Sequence, residues 1–288
     1  MPQPLSRIID QLKHEPSRTG SIIITVFGDA IVPRGGAVWL GTLLAFFAGL
    51  DIAGNVVRTA MSRLTAEGWF ARSKVGRNSF YRLERSGEQT FAAATRHIYD
   101  PPPSEWNGRF DLLLIGGVEA REAARDALKN AGFGSPLPGV FVAPVGLLVP
   151  VEAAGAIRLD VSAAPEMARR LLAESWTLDR TAEAYLKFTA SFAPLQAWLG
   201  RDAALSDADA FTARILLIHH YRRIVLRDPL LPAELLPKDW PGREARALCG
   251  TIYRALLPAS ERWLDAHATD ENGPLPPAGE GLARRFGT

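Results

Sequence analysis

Cysteine is nearly absent from this chain, with one residue, Cys249, in 288. A single thiol excludes an internal disulfide framework and suits a reducing cytosol, so a cytoplasmic protein is expected. Cys249 sits beside Leu248 in an apolar helical pattern, where a buried structural thiol is the default. Long apolar runs are missing as well. The stretch "AVWLGTLLAFFAGL" has the length of a buried helix and is too short to cross a bilayer, and no signal-like leader stands before it. No membrane partner is expected. Catalytic signatures are also lacking. Ser175 and Ser191 have no G-x-S-x-G around them, and "LLLIGGVEAREAARDAL" has neither the dinucleotide nor the P-loop glycine pattern, so its two glycines read as a packing turn. His219 and His220 are adjacent rather than four apart, and nothing nearby completes a metal site. No catalytic residue, metal or cofactor is predicted, and the chain is not expected to be an enzyme.

Excess charge of either sign is absent overall, with 33 basic against 31 acidic side chains and a net charge of +2. The distribution is uneven. Residues 1–90 hold 11 basic and 7 acidic side chains, and the remainder is slightly acidic. Within "VVRTAMSRLTAEGWFARSKVGRNSFYRL" and the two residues after it lie Arg58, Arg63, Arg72, Lys74, Arg77, Arg82 and Arg85, against only Glu67 and Glu84. A basic head on a mildly acidic body suits a protein that meets a polyanion at one end.

The chain is long enough for two or three modules. "LSRIIDQLKH" reads as a peripheral helix. "GSIIITVFGDAIV" favours a strand by its β-branched content, but its context leaves a helix equally open, and "AVWLGTLLAFFAGL" reads as a helix. In the basic stretch Val57, Ala60, Met61 and Leu64 share one helical face, while Arg58, Thr59, Ser62, Arg63 and Ala66 fall opposite. Asp51 or Asn55 could cap its start, and Gly68 is placed to end it. "WFARSK" and "SFYRL" then read as strands joined by the turn "VGRN". A helix is expected over 86–99. The prolines of "DPPPSEWNG" mark the clearest boundary.

Beyond it, "RFDLLLIG", "GVFVAP" and "AIRLDV" read as strands and "EAREAARDALKNAG" and "PEMARRLLAESW" as helices. That order suggests a ferredoxin-like α/β sandwich over 104–175. Three helical segments follow within 178–270, and the Gly/Pro-rich tail 271–288 is expected to be disordered. The fold class is therefore α+β and multidomain, with an N-terminal winged helix-turn-helix over 1–99, a ferredoxin-like middle and a helical C-terminal domain.

A winged helix-turn-helix lays its second helix in the major groove while the hairpin reaches the backbone. Arg58 and Arg63 can offer forked donors to guanine edges or phosphates, and Thr59 and Ser62 permit close approach. Arg72, Lys74, Arg77 and Asn78 on the hairpin would position the protein on phosphates. Arg82 and Arg85 look peripheral. The plainer reading is a solvated helix face with a charged hairpin.

The blocks "FGDAIVPRGGAVWLGTLLAFF", "VRTAMSRLTAEGWFARSKVGRNSFYRL" and "LLIHHYRRIVLRDPLLPAELLPKDWPG" resemble the phenylacetic acid degradation repressor (PaaX) family, over most of residues 20–265. The resemblance implies a homodimeric repressor of an aromatic-acid catabolism operon that binds double-stranded operator DNA. It also implies release by an aryl-acyl-CoA effector such as phenylacetyl-CoA. One departure is Ala53, where a polar cap would be expected. A CoA pyrophosphate needs fixed cations and a stacking surface, which makes His219, His220, Tyr221, Arg222, Arg223 and Trp240 candidate effector contacts. The alternative is that this cluster ties helices together and that Trp240 anchors its connector. Two rivals stand beside the repressor: an enzyme acting on an aryl-CoA thioester with His219 or His220 as base, and a winged-helix interaction module that does not bind DNA.

Overall fold

A computed structural model of the chain describes residues 2–14, 19–101, 105–116, 121–201 and 204–287. The glycine turn at 116–117 falls partly outside these residues, and the triple-proline linker largely so. The described chain is mixed α/β with antiparallel sheets. In chain order the elements are α1 (Gln3–His14), α2 (Thr19–Val26), β1 (Ala37–Trp39), α3 (Leu40–Ala48), α4 (Gly54–Ala66), β2 (Phe70–Val75), β3 (Asn78–Leu83) and α5 (Arg85–Tyr99). Next come β4 (Arg109–Leu114), α6 (Arg121–Asn130), β5 (Gly134–Leu137), β6 (Val140–Pro144), β7 (Ile157–Ser162) and α7 (Pro165–Ser175). The long helices α8 (Asp179–Leu199), α9 (Asp207–Val225) and α10 (Gly242–His267) precede the short pair β8 (Thr269–Asp270) and β9 (Gly273–Pro274). No helix among the described residues is long and apolar enough to cross a membrane.

Two compact units form. One holds residues 1–100, 188–222 and 244–288, and the other holds 101–187 and 223–243. The helical stretch expected as one block over 178–270 is thus divided between them. In the larger unit α1 buries Leu5, Ile8, Ile9 and Leu12, at spacings of three, four and seven. The β-branched run is resolved as helix α2 followed by a π-turn, Phe27–Ile31. Burial decides this. Ile22, Ile23, Val26, Phe27, Ala30 and Ile31 all enter the core at helical spacing, which outweighs strand propensity. The run read as one helix from Ala37 instead begins with β1, because Ala37, Val38 and Trp39 pair with Arg82, Tyr81 and Phe80 of β3.

Asp29 lies in the π-turn with 1% of its surface exposed. Its Oδ1 accepts from the Tyr99 hydroxyl (2.6 Å), the Tyr253 hydroxyl (3.0 Å) and Arg285 Nη1 (2.9 Å), and its Oδ2 accepts from Arg214 Nε (2.6 Å). A π-turn loosens the i→i+4 ladder, and its carbonyls find arginines instead. Asp29 O accepts from Arg214 and Arg285, and Gly28 O from Arg285. Arg214, fully buried on α9, also holds Glu261 of α10, and Glu261 is shared with Arg34, which reaches Asp265. Three arginines and three carboxylates alternate along one chain. Burial alone would lower the pKa of Arg214, but Asp29 and Glu261 more than reverse this and push it up. Burial pushes the Tyr253 hydroxyl up to about 12 and raises Tyr99 in the same direction.

The tail departs from its expected disorder. Leu275, Leu282, Arg285 and Phe286 are buried, and Phe286 packs its ring on Tyr99, Tyr221 and Tyr253. Composition suggested a loose end because Gly and Pro disfavour helix and strand. The segment is held instead by side-chain burial and by the bonds of Arg285.

In the smaller unit the antiparallel sheet has the order β5-β6-β4-β7. Leu113, Phe141 and Ala143 face α6 through Ala124 and Leu128. Phe110 and Val142 face α7 through Ala168 and Leu172, joined by Leu231 and Leu235. The two helices therefore cover opposite faces. The connection from β6 to β7 carries only a 3-10 turn, Val151–Ala153, on the α6 side, where Gly146, Pro150 and Gly155 oppose a longer helix.

Replacing Asp29 with alanine would leave Arg214 and Arg285 buried without their carboxylate. Urea unfolding of Asp29→Ala is expected to show a loss of about 3–5 kcal/mol. A second expectation concerns alkaline pH. Tyr253 is raised in the fold from its ordinary 10 to about 12, so its contribution is intact below pH 10 and lost as pH climbs towards 12. Denaturation midpoints should fall across that interval, and Tyr253→Phe should flatten the fall.

Candidate nucleic-acid interface

α4 packs between α2 and α3, and its orientation follows from a narrow buried stripe. Val57, Ala60, Met61 and Leu64 are buried, so Arg58, Thr59, Ser62 and Arg63 are turned outward, as their spacing predicts. The helix begins at Gly54, after Ala53 in extended conformation and with no side-chain cap. The N-cap position is Ala53, rather than Asp51 or Asn55. Asn55 Oδ1 accepts from the Val56 amide (3.0 Å) inside the first turn. Gly68, at φ 79°, follows the end of the helix.

The hairpin pairs Phe70–Val75 with Asn78–Leu83, so Gly76 and Arg77 form a two-residue turn. Gly76 has φ 60°, which a glycine adopts without strain at the first turn position. Arg77 is thereby placed at the tip, flanked by Lys74 and Asn78, all exposed. Arg72 is more constrained: its Nη2 and Nε donate to Ser79 Oγ at 2.8 and 3.3 Å. Arg63 lies 3.4 Å from Glu67. A Cβ added at Gly20 would stand 2.8 Å from Arg63 Nη2, so the lack of a side chain at Gly20 lets this guanidinium lie over the start of α2. A groove of about 320 Å³ runs there, bounded by Thr19 and Gly20 on one side and Asn55, Thr59 and Arg63 on the other. Thr19 and Gly20 are not singled out by the sequence, and Asn55 only as a candidate cap. Asn55 stands on α4 itself, and proximity in the fold brings Thr19 and Gly20 of α2 to this face.

All eight residues expected to contact DNA are exposed and lie in the larger unit. Arg82, read as peripheral, has a structural duty: it donates to Gly35 O (2.9 Å) and pairs with Glu271 at 2.7 Å. The hydrogen bond from Arg82 lowers the pKa of Glu271.

The six candidate effector residues are not gathered in one unit. His219 is fully buried with Nδ1 3.1 Å from Thr25 Oγ1 on α2. Arg222 donates to Thr25 Oγ1 (2.7 Å) and to Ser21 O and Oγ (2.7 and 2.8 Å). Tyr221 is buried against Phe188, and His220 stands edge-on to Phe192. In the smaller unit Arg223 is exposed, and Trp240 is buried against Tyr185 with ring centroids 6.0 Å apart. Among the described residues no group of three or more His, Cys, Asp or Glu could hold a metal ion.

Comparison with known proteins bears on this surface. Residues 18–87 match the family described as PaaX-like protein, and residues 176–266 match the PaaX-like protein C-terminal domain. The transcriptional repressor PaaX of Escherichia coli (strain K12) is 38% identical over 285 residues, which cover 93% of this chain and 89% of the relative. The chain belongs to the PaaX-like family. That family is one of transcriptional regulation, not of enzymes. A solved structure, the uncharacterized protein Rv0674 from Mycobacterium tuberculosis, superposes with a TM-score of 0.52 at 26% identity. It covers 77% of this chain and 89% of its own. The first PaaX-like match spans α2, α3, α4 and the hairpin with its turn, which carry every residue of the exposed basic face.

Proposed function

We propose that this chain is a transcriptional repressor of an aromatic-acid catabolism operon, of the phenylacetate type, that binds operator DNA as a homodimer. In this reading α2, α3, α4 and the β2–β3 hairpin act as a winged helix-turn-helix. Arg58, Thr59, Ser62 and Arg63 face base edges, and Arg72, Lys74, Arg77 and Asn78 grip phosphates. The observation that carries it is the joint exposure of these two basic groups on a helix and hairpin whose other faces are buried in one unit. Ser79 Oγ orients Arg72, so part of that guanidinium is pre-set before DNA arrives.

The smaller unit serves as a ferredoxin-like middle domain whose second crossover helix is reduced to a 3-10 turn. The helices beyond it serve as the effector-responsive part. An aryl-acyl-CoA, such as phenylacetyl-CoA, lowers operator affinity by binding better to the conformation that binds DNA worse. Arg223 is exposed and basic enough to meet a CoA phosphate.

Gel-shift titration against the upstream region of the chain's own gene tests the reading. Specific binding at moderate salt is expected, and its absence would overturn the repressor assignment. Arg58→Ala or Arg63→Ala should cost about 1–3 kcal/mol, concentrated at particular base pairs. Lys74→Ala should weaken all sequences alike and flatten the salt dependence. Equal, sequence-independent losses for all three would remove the division between reading and gripping. For the effector, Arg223→Ala should leave operator binding intact and raise the phenylacetyl-CoA concentration needed for release.

A further inference from the structure

The outward face of α4 is not uniformly polar. Val56, on its first turn, is 45% exposed, while its neighbour Val57 is fully buried. The buried stripe fixes the rotation of the helix, so Val56 cannot turn inward without lifting Val57, Ala60, Met61 and Leu64 out of the core. A β-branched side chain in solvent on a helix adds nothing to folding.

Its neighbours share its character. At 100° per residue Thr59 and Ala60 stand three and four positions on, beside Val56, and all three line the groove next to α2. The Thr59 hydroxyl donates to Asn55 O at 2.9 Å, which leaves it no proton for a base acceptor. The Val56 amide is held by Asn55 Oδ1. This edge of the helix therefore offers methyl groups, two from Val56 and one from Thr59, while Ala60 beside them belongs to the buried stripe. Arg63, seven positions after Val56, borders the same groove with its guanidinium over Gly20, and the donors Arg58 and Ser62 lie on the other edge of the exposed face.

The N-terminal residues of a recognition helix are those that reach base edges. In the major groove most base atoms present donors or acceptors, and the apolar handle is the methyl on C5 of a pyrimidine. We propose that Val56 is a specificity-determining residue that, with the methyl of Thr59, seats the 5-methyl group of an operator pyrimidine. This rests on the DNA-binding reading above. Thymine and 5-methylcytosine carry the same methyl, and the test separates them.

The full chain would first be used to select bound duplexes from a random library. In the selected duplex each thymidine is then replaced singly by deoxyuridine, and each deoxycytidine by 5-methyldeoxycytidine. Wild type and Val56→Ala are compared by titration. Because Val56 is exposed, the alanine variant should keep its thermal melting, and Val56→Thr, of nearly the same shape, provides a second check. For thymine, wild type should lose roughly three- to five-fold in affinity at one or two uridine positions, the worth of about one buried methyl. Val56→Ala should lose nothing there, and Val56→Thr an intermediate amount. For methylated cytosine, wild type should instead gain affinity at a 5-methyldeoxycytidine, and Val56→Ala should not. Specific binding that ignores every methyl, or an alanine variant with the wild-type penalty, would overturn the proposal and leave the DNA-binding reading standing. Failure to select any sequence would overturn both.

Discussion

The larger unit depends on neutralising one carboxylate. Asp29 sits where water does not reach, and an unpaired charge there would cost several kcal/mol. Its neutralisation recruits Arg214 from α9, Arg285 from the last residues, and hydroxyls from Tyr99 and Tyr253. Glu261 extends the alternation to Arg34, next to the strand that opens the small sheet. The basic head is therefore not an independent bead. Its second helix, α2, shares a core with residues 188–222 and 244–288, and Arg222 adds a second tie through Ser21 and Thr25.

What could be read from sequence follows the range of the interactions involved. α4 was legible because its buried residues repeat every three or four positions, and the hairpin because "VGRN" encodes a tight turn locally. The start of α4 is less so: the capping candidates are polar residues, yet the N-cap position falls on Ala53, which has no polar side chain to cap with. The Asp29 network left only a faint trace. Asp29 in "VFGDAIV" and Arg214 in "FTARILLI" are lone charges inside apolar runs, which is the signal a buried ion pair leaves. Neither residue carries information about its partner, 185 positions away. The tail misled for the same reason. Its composition disfavours long helix or strand, but order comes from Phe286 and Arg285 entering a core built elsewhere.

The basic stretch also resolves into parts that composition could not separate. Seven cations stood together in sequence, yet Arg82 is a strut to Gly35 and Glu271, and Arg72 is half committed to Ser79. Arg58, Lys74 and Arg77 face outward, and Arg63 does so over the bare backbone of Gly20. The effector cluster shows the opposite pattern. Six neighbours in sequence or connector divide between two units, and His219, Tyr221 and Arg222 are deep in contacts with α2 and aromatic rings. Density of chemistry along a chain is thus a weaker guide than the face each residue takes.

The position of Arg285 has a consequence for the order of folding. Asp29 and Arg285 are 256 positions apart, and Asp29 and Arg214 are 185 apart. Closing loops of that length costs chain entropy before any ion pair forms, so the cage around Asp29 is a late folding event, after the local contacts of α4 and the hairpin.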